Sequence, residues 1–150
     1  MYERQKSKYN TQETDLYTVQ DAVAAYGNPT HRIELSRQGV LPEFVQDLMS
    51  LFTFSKAELS RLTAISTKTL ERHIQSGKRF TGLQSDRLLE LAQLYHEGLQ
   101  TFGQREKFLR WLKSPIAALN NTPPKSWLDT HEGIRMISQE LGRIRYGIFA

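Results

Sequence analysis

Apolar residues recur at intervals of three and four along the chain, and no segment alternates apolar and polar residues strictly. The first spacing places side chains on one face of an α-helix, whereas a half-buried strand needs a period of two. The pattern is clearest between residues 85 and 102. One helical stripe there consists of Leu88, Leu91, Ala92, Tyr95 and Leu99. We therefore predict an all-α fold.

Other segments with the same period carry helix signals at their ends. We expect further helices over residues 14–26, 42–52, 56–62, 67–76, 105–112 and 132–146. Gly27 and Pro29 end the first of these, and the polar stretch that runs from there to Gly39 has no predicted helix. Residues 114–133 hold three of the five prolines. Their apolar side chains are too many for a free linker, so we expect ordered turns with a short helix.

The chain has 150 residues, enough for one domain or two small ones. It contains no cysteine, which excludes disulfides and thiolate metal sites. Its first twenty residues contain no apolar run, and no apolar run elsewhere is long enough for a membrane span. We expect a cytoplasmic protein without a signal peptide or a membrane partner.

The positive net charge of the chain is concentrated in one segment. Residues 54–80 contain six basic and two acidic side chains, which equals the net charge of +4 of the whole chain. A basic region on an otherwise neutral chain suggests a polyanionic partner. A solvated basic face would give the same composition, so charge alone leaves both interpretations open.

The same region matches a helix-turn-helix, two short capped helices joined by three residues. Ser55 and Glu58 form a capping box before the first helix, and Gly77 suits the end of the second. The exposed start of the second helix can reach base edges or phosphates in a major groove. The predicted DNA-binding residues are Ser66, Thr67, Lys68, Thr69, Arg72, Lys78 and Arg79.

Two features qualify this interpretation. Glu71 also lies at the start of the second helix and argues against tight phosphate contact, although a glutamate can accept a hydrogen bond from a cytosine amino group. Lys78 and Arg79 suit phosphates better than bases. Any two amphipathic helices with a tight turn have this pattern, so a protein interface is the alternative.

No motif for catalysis or metal binding is present. His131-Glu132 resembles the start of a zinc motif, but Arg135 stands where the second histidine is required. A glycine-rich phosphate loop and a nucleophile elbow are both missing. We predict no catalytic residue, no metal and no cofactor, and hence no enzyme. An enzyme whose site is built from positions without a motif stays the alternative.

Spaced residues in the second half resemble a known family. These are Ser85-Asp86-Arg87, Phe102-Gly103, Trp111-Leu112, Pro115, Leu119, Pro123, Trp127-Leu128, Thr130, Gly133, Arg143-Ile144 and Tyr146-Gly147. They resemble the toxin-binding domain of the Xre/MbcA/ParS antitoxins, and residues 39–80 resemble the Xre-type helix-turn-helix of that family. Asn120-Asn121 stand where the family often has paired glycines. Asparagine tolerates a left-handed backbone, so the turn can persist.

The resemblance implies an antitoxin that neutralises a NAD-consuming RES-domain toxin by covering its active site. It also implies a homodimer that binds operator DNA and represses its own operon. Residues 1–83 would then dimerise and bind DNA, and residues 84–150 would bind the toxin. The predicted toxin-binding residues are Trp127, Thr130, Arg143, Arg145 and Tyr146. A stand-alone transcriptional regulator without a toxin partner is the alternative.

These toxin-binding predictions also have simpler interpretations. A tryptophan such as Trp127 serves as an anchor either in a core or in an interface. The two arginines and the tyrosine near the C-terminus could enter a negatively charged or phosphate-binding cleft. The same arginines would also complement the C-terminal end of a helix.

Overall fold

A computed structural model of the chain describes residues 29–147. They form seven α-helices: α1 (Pro29–Gln38), α2 (Pro42–Phe52), α3 (Lys56–Thr63), α4 (Thr67–Ser76), α5 (Leu83–Phe102), α6 (Arg105–Lys113) and α7 (His131–Arg145). Two short 3₁₀ helices, Ala117–Leu119 and Pro124–Trp127, lie between α6 and α7. In this part of the chain, strand-like pairing is limited to two isolated bridges. The prediction of an all-α fold is confirmed.

One predicted feature is wrong. The polar stretch before Gly39 is helical, because it forms α1 from Pro29 onward. A proline is tolerated at the first helical position, where its missing N–H would have no intrahelical partner. Burial of Leu35 and a 2.9 Å hydrogen bond from Ser85 Oγ to the Ser36 carbonyl stabilise this helix, although it has no apolar stripe. The helix predicted over residues 14–26 lies outside the described residues.

The described residues form two compact units, and the division falls between Ala92 and Gln93 within α5. In the N-terminal unit, α4 packs against both α3 and α2. In the C-terminal unit, the second 3₁₀ helix contacts both α6 and α7. The predicted domain boundary between residues 83 and 84 lies at the start of α5 and stays a prediction.

The helix-turn-helix forms where it is predicted. The Glu58 amide donates to Ser55 Oγ at 3.1 Å, and the Ser55 amide donates to Glu58 Oε1 at 3.3 Å, which completes the capping box. The turn to α4 passes through Ala64 in the left-handed conformation, and Ile65 is buried beneath it. The residue after α4 is Gly77, which has a φ of 72° and ends the helix.

The segment between α6 and α7 is ordered, as predicted. Asn120 and Asn121 have φ values of 56° and 59°, so both take the left-handed backbone that the asparagine pair allows. The Asn121 amide donates to the Ile116 carbonyl at 3.0 Å, and Leu119 is buried. This turn therefore folds onto the C-terminal unit.

No helix among residues 29–147 combines the length and the apolar character that crossing a membrane requires.

Candidate DNA-binding and partner-binding sites

Helix α4 buries one side and exposes the other. Leu70 and His73 are buried, whereas Lys68, Glu71 and Arg72 are exposed. Lys68 and Arg72 are four residues apart and therefore adjacent on the helix surface, where like charges repel. Within the described part of the chain, neither side chain has an ion-pair partner. Two adjacent unpaired cations favour an anionic ligand on this face.

Two of the predicted DNA-binding residues, Ser66 and Thr69, form the N-terminal cap of α4. Ser66 Oγ accepts a hydrogen bond from the Thr69 amide at 3.1 Å and donates to Thr69 Oγ1 at 2.9 Å. Ser66 and Thr67 are exposed, and Thr69 is half-buried. Because Thr69 Oγ1 accepts from Ser66, its own hydrogen stays available for a phosphate oxygen.

Lys78 and Arg79 lie beyond the other end of α4. The ten residues of this helix span about 15 Å, so these two side chains are separated from the Ser66 end. Lys78 is exposed, and Arg79 Nη1 donates to the Gly39 carbonyl at 3.4 Å. The predicted DNA-binding residues thus form one cluster at the start of α4 and a basic pair beyond its end. Because Lys78 and Arg79 lie away from the start of α4, they suit contacts with phosphates rather than with bases.

His73 is a buried residue beneath the exposed face of α4. Its ring lies 4.4 Å from the ring of Phe80, measured between centroids. Burial, followed by the charges of Lys78 and Arg72, lowers the pKa of His73. His73 is not among the residues that the sequence patterns above single out, although its spacing of three from Leu70 places both side chains on the same face of α4.

In the C-terminal unit, two of the predicted toxin-binding residues have roles in the fold. Trp127 is half-buried, and its Nε1 donates to Thr122 Oγ1 at 2.7 Å. Thr130 caps α7 by accepting from the Gly133 amide at 2.9 Å. A Cβ added at Gly133 would overlap the carbonyl of Trp127, so the glycine permits the close approach of α7 to the preceding turn.

The other three predicted residues lie at the C-terminal end of α7. Arg143 Nη1 is 3.2 Å from Glu140 Oε2, and Arg145 Nη1 donates to Thr101 Oγ1 at 3.2 Å. The Arg145 guanidinium also lies over the Tyr146 ring, 5.1 Å from its centroid. Tyr146 is 72% exposed, which is unusual for a large aromatic side chain.

The predicted toxin-binding residues therefore do not form one cluster. Helix α7 has 15 residues and is about 22 Å long, and it separates Trp127 and Thr130 from the arginines and Tyr146. No sequence pattern predicts the contact between Arg145 and Thr101, because 44 residues separate the two positions. Among residues 29–147, no group of three or more histidine or acidic side chains could hold a metal ion.

Two family models match the chain in succession. Residues 31–93 match the antitoxin Xre-like helix-turn-helix domain, and residues 98–147 match the antitoxin Xre/MbcA/ParS C-terminal toxin-binding domain. The chain belongs to the Xre/MbcA/ParS antitoxins. The DNA-binding candidates of this antitoxin all fall within the first match, and its toxin-binding candidates all fall within the second.

Curated relatives of this chain are also named as antitoxins. The antitoxin is 27% identical to "Antitoxin Xre" of Photorhabdus laumondii over 119 residues, which cover 79% of this chain and 80% of the relative. It is 25% identical to "Antitoxin Xre" of Yersinia enterocolitica over the same length and with the same shares. It is also 24% identical to the "Prs ADP-ribosylating antitoxin" of a Sphingobium species over 132 residues, 82% of this chain and 83% of the relative.

Proposed function

We propose that this antitoxin neutralises a RES-domain toxin that consumes NAD and represses its own operon by binding operator DNA as a homodimer. Neutralisation would occur by covering the active site of the toxin. One observation carries the proposal: a helix-turn-helix match and a toxin-binding match follow each other in a single chain. The name of the Sphingobium relative contains ADP-ribosylation, a reaction in which NAD is the donor, and this supports a system that consumes NAD.

The DNA-binding half of the proposal is supported by the face of α4. A helix of ten residues with an exposed, unpaired pair of cations has the dimensions and charge for a major groove. Lys68 and Arg72 lie within the first six residues of α4, the part of a recognition helix that approaches base edges. Lys78 would add a phosphate contact farther along the duplex.

The toxin-binding half is supported by the C-terminal end of α7. Arginine and tyrosine are enriched among the residues that dominate protein interfaces. The exposed Tyr146 ring is backed by the guanidinium of Arg145, and the Arg145 contact with Thr101 anchors that pair to α5. A pre-positioned aromatic side chain loses less conformational freedom on binding than a mobile one.

A binding experiment with the product of the adjacent gene tests this half. The full antitoxin should co-purify with that protein and inhibit its consumption of NAD. Removal of residues 143–150, or the single change Tyr146→Ala, should weaken inhibition while DNA binding persists. The matched control is Arg135→Ala, which removes an exposed arginine from the first half of α7.

Two results would contradict the proposal in different ways. Full inhibition by the truncated antitoxin would show that the C-terminal end of α7 does not cover the active site. If the full antitoxin neither binds the adjacent gene product nor inhibits it, but still binds DNA, the protein is a stand-alone regulator.

A further inference from the structure

Glu71 is the acidic residue of helix α4, and it is exposed on the side of the helix that also carries Lys68 and Arg72. Its carboxylate does not pair with a cation of its own helix. Glu71 Oε1 instead lies 3.5 Å from Nζ of Lys56, the first residue of α3. The two side chains are 52% and 49% exposed, so both stay accessible to a ligand.

A carboxylate on this face is unfavourable for general DNA binding, because it repels phosphate oxygens. Lys56 offsets that charge, and the face stays positive through Lys68 and Arg72. The ion pair also bridges the two helices of the helix-turn-helix. It places the carboxylate on the flank of α4 beside α3, next to Lys68 and Arg72.

The chemistry of a carboxylate limits what it can recognise in a major groove. It only accepts hydrogen bonds, and the donors on base edges are the amino groups of cytosine and adenine. The adenine amino group lies beside N7, an acceptor that would repel the carboxylate. The guanine edge presents acceptors alone, and the thymine edge presents an acceptor and a methyl group. Cytosine is the base that fits.

We propose that Glu71 is a specificity-determining residue that accepts a hydrogen bond from a cytosine amino group, and that Lys56 is the residue that positions its carboxylate. This inference rests on the proposed DNA binding of the helix-turn-helix. It goes further by assigning sequence selection to a residue whose charge weakens general affinity.

The probe is a duplex selected by the full-length protein from a random library, with each C·G pair then replaced in turn by T·A. Wild type should lose about tenfold in affinity at one such position, the scale of a specific base contact. Glu71→Ala should bind the selected and the replaced duplex within about twofold of each other, because its side chain accepts no hydrogen bond. Its affinity for random-sequence DNA should rise, because a negative charge is removed.

Two further variants isolate the role of Glu71. Glu34→Ala removes an exposed carboxylate from α1 and should keep the wild-type discrimination at every position. Lys56→Ala should reduce the discrimination at the position that depends on Glu71, because the carboxylate loses its anchor. Circular dichroism should show wild-type helix content for all three variants, whose side chains lie outside the core.

The outcome is decided by the ratio of the affinities for the selected duplex and for the duplex with a replaced C·G pair. If Glu71→Ala changes affinity for every duplex by the same factor, Glu71 only modulates charge and the inference is overturned. If wild type binds DNA without preference for any C·G pair, the inference is also overturned, although DNA binding itself stands. If wild type binds no duplex, the DNA-binding half of the proposed function fails first.

Discussion

Gly98 lies in α5 where this helix meets α6, and adding one methyl group there tests the packing of the C-terminal unit. A Cβ built at Gly98 would overlap ring carbons of Phe108. Phe108 is fully buried, and its ring lies 5.9 Å from Tyr95 and 6.4 Å from Trp111 between centroids. The ring is therefore enclosed by other side chains, and moving it away from the added methyl group would disturb its contacts with them.

Two effects of Gly98→Ala oppose each other. Alanine is favoured over glycine within a helix by about 1 kcal/mol. Overpacking a filled core costs about 1–3 kcal/mol, and the upper part of that range applies because the overlapped ring is itself enclosed. We expect a net loss of about 1–2 kcal/mol in the free energy of unfolding. The control is Gly142→Ala in α7, where the added methyl group meets open space and should gain up to about 1 kcal/mol.

Tryptophan fluorescence during guanidinium unfolding measures both changes. The two tryptophans of the chain, Trp111 and Trp127, both belong to the C-terminal unit, so their signal reports the unfolding of that unit. The denaturation midpoint should fall for Gly98→Ala and stay equal or rise for Gly142→Ala. A Gly98→Ala midpoint at or above the wild-type value would refute the packing argument, because helix propensity would then outweigh the overlap.

Three further predictions concern the two candidate sites. Lys68→Ala combined with Arg72→Ala should reduce the salt dependence of DNA binding, by about 0.9 in the log–log slope for each phosphate that the variant no longer neutralises; an unchanged slope would place the recognition face elsewhere. Thr130→Ala removes the cap of α7 and should lower the unfolding free energy of the C-terminal unit by about 1 kcal/mol, measured by tryptophan fluorescence. The pKa of His73 is lowered in the folded protein, so the unfolded chain binds its proton first as pH falls. The thermal unfolding temperature, followed by circular dichroism, should therefore decrease as the pH is lowered below about 6.5. In His73→Gln this pH dependence should be weaker, and identical pH profiles of the two proteins would contradict the lowered pKa of His73.

Most of the fold could be predicted from the sequence because local signals agree with the packing. The capping box at Ser55, the cap at Ser66 and the glycine at Gly77 all mark helix ends that the structure contains. Helix α1 could not be predicted in this way. It has no apolar stripe, and its stability depends on burial of Leu35 and on a hydrogen bond from Ser85, which is 49 residues away from Ser36.

The candidate sites were predictable only in part. The exposure of Lys68 and Arg72 follows from helical spacing once Leu70 is assigned to the core. The contacts that orient site residues are different, because they join positions that no periodicity relates. The ion pair of Lys56 with Glu71 spans 15 residues.

A sequence pattern also cannot separate a role in the fold from a role in binding. The side chain of Trp127 already donates to Thr122, and that of Thr130 already caps α7. Both positions match the resemblance to the toxin-binding domain, yet their contacts within the chain account for the residue types present. Tyr146 differs, since its ring is exposed and the neighbouring Arg145 guanidinium lies over it. We therefore expect Tyr146 to have the largest effect on toxin binding.

The most direct test of the proposed function is the NAD concentration in cells that express the adjacent gene product with and without this antitoxin. We expect NAD to fall when the adjacent product is expressed alone, to stay at its normal level when the antitoxin is co-expressed, and to fall again with the antitoxin truncated before Arg143. NAD that stays at its normal level without the antitoxin, or that falls equally in its presence, would contradict the neutralisation of a NAD-consuming toxin.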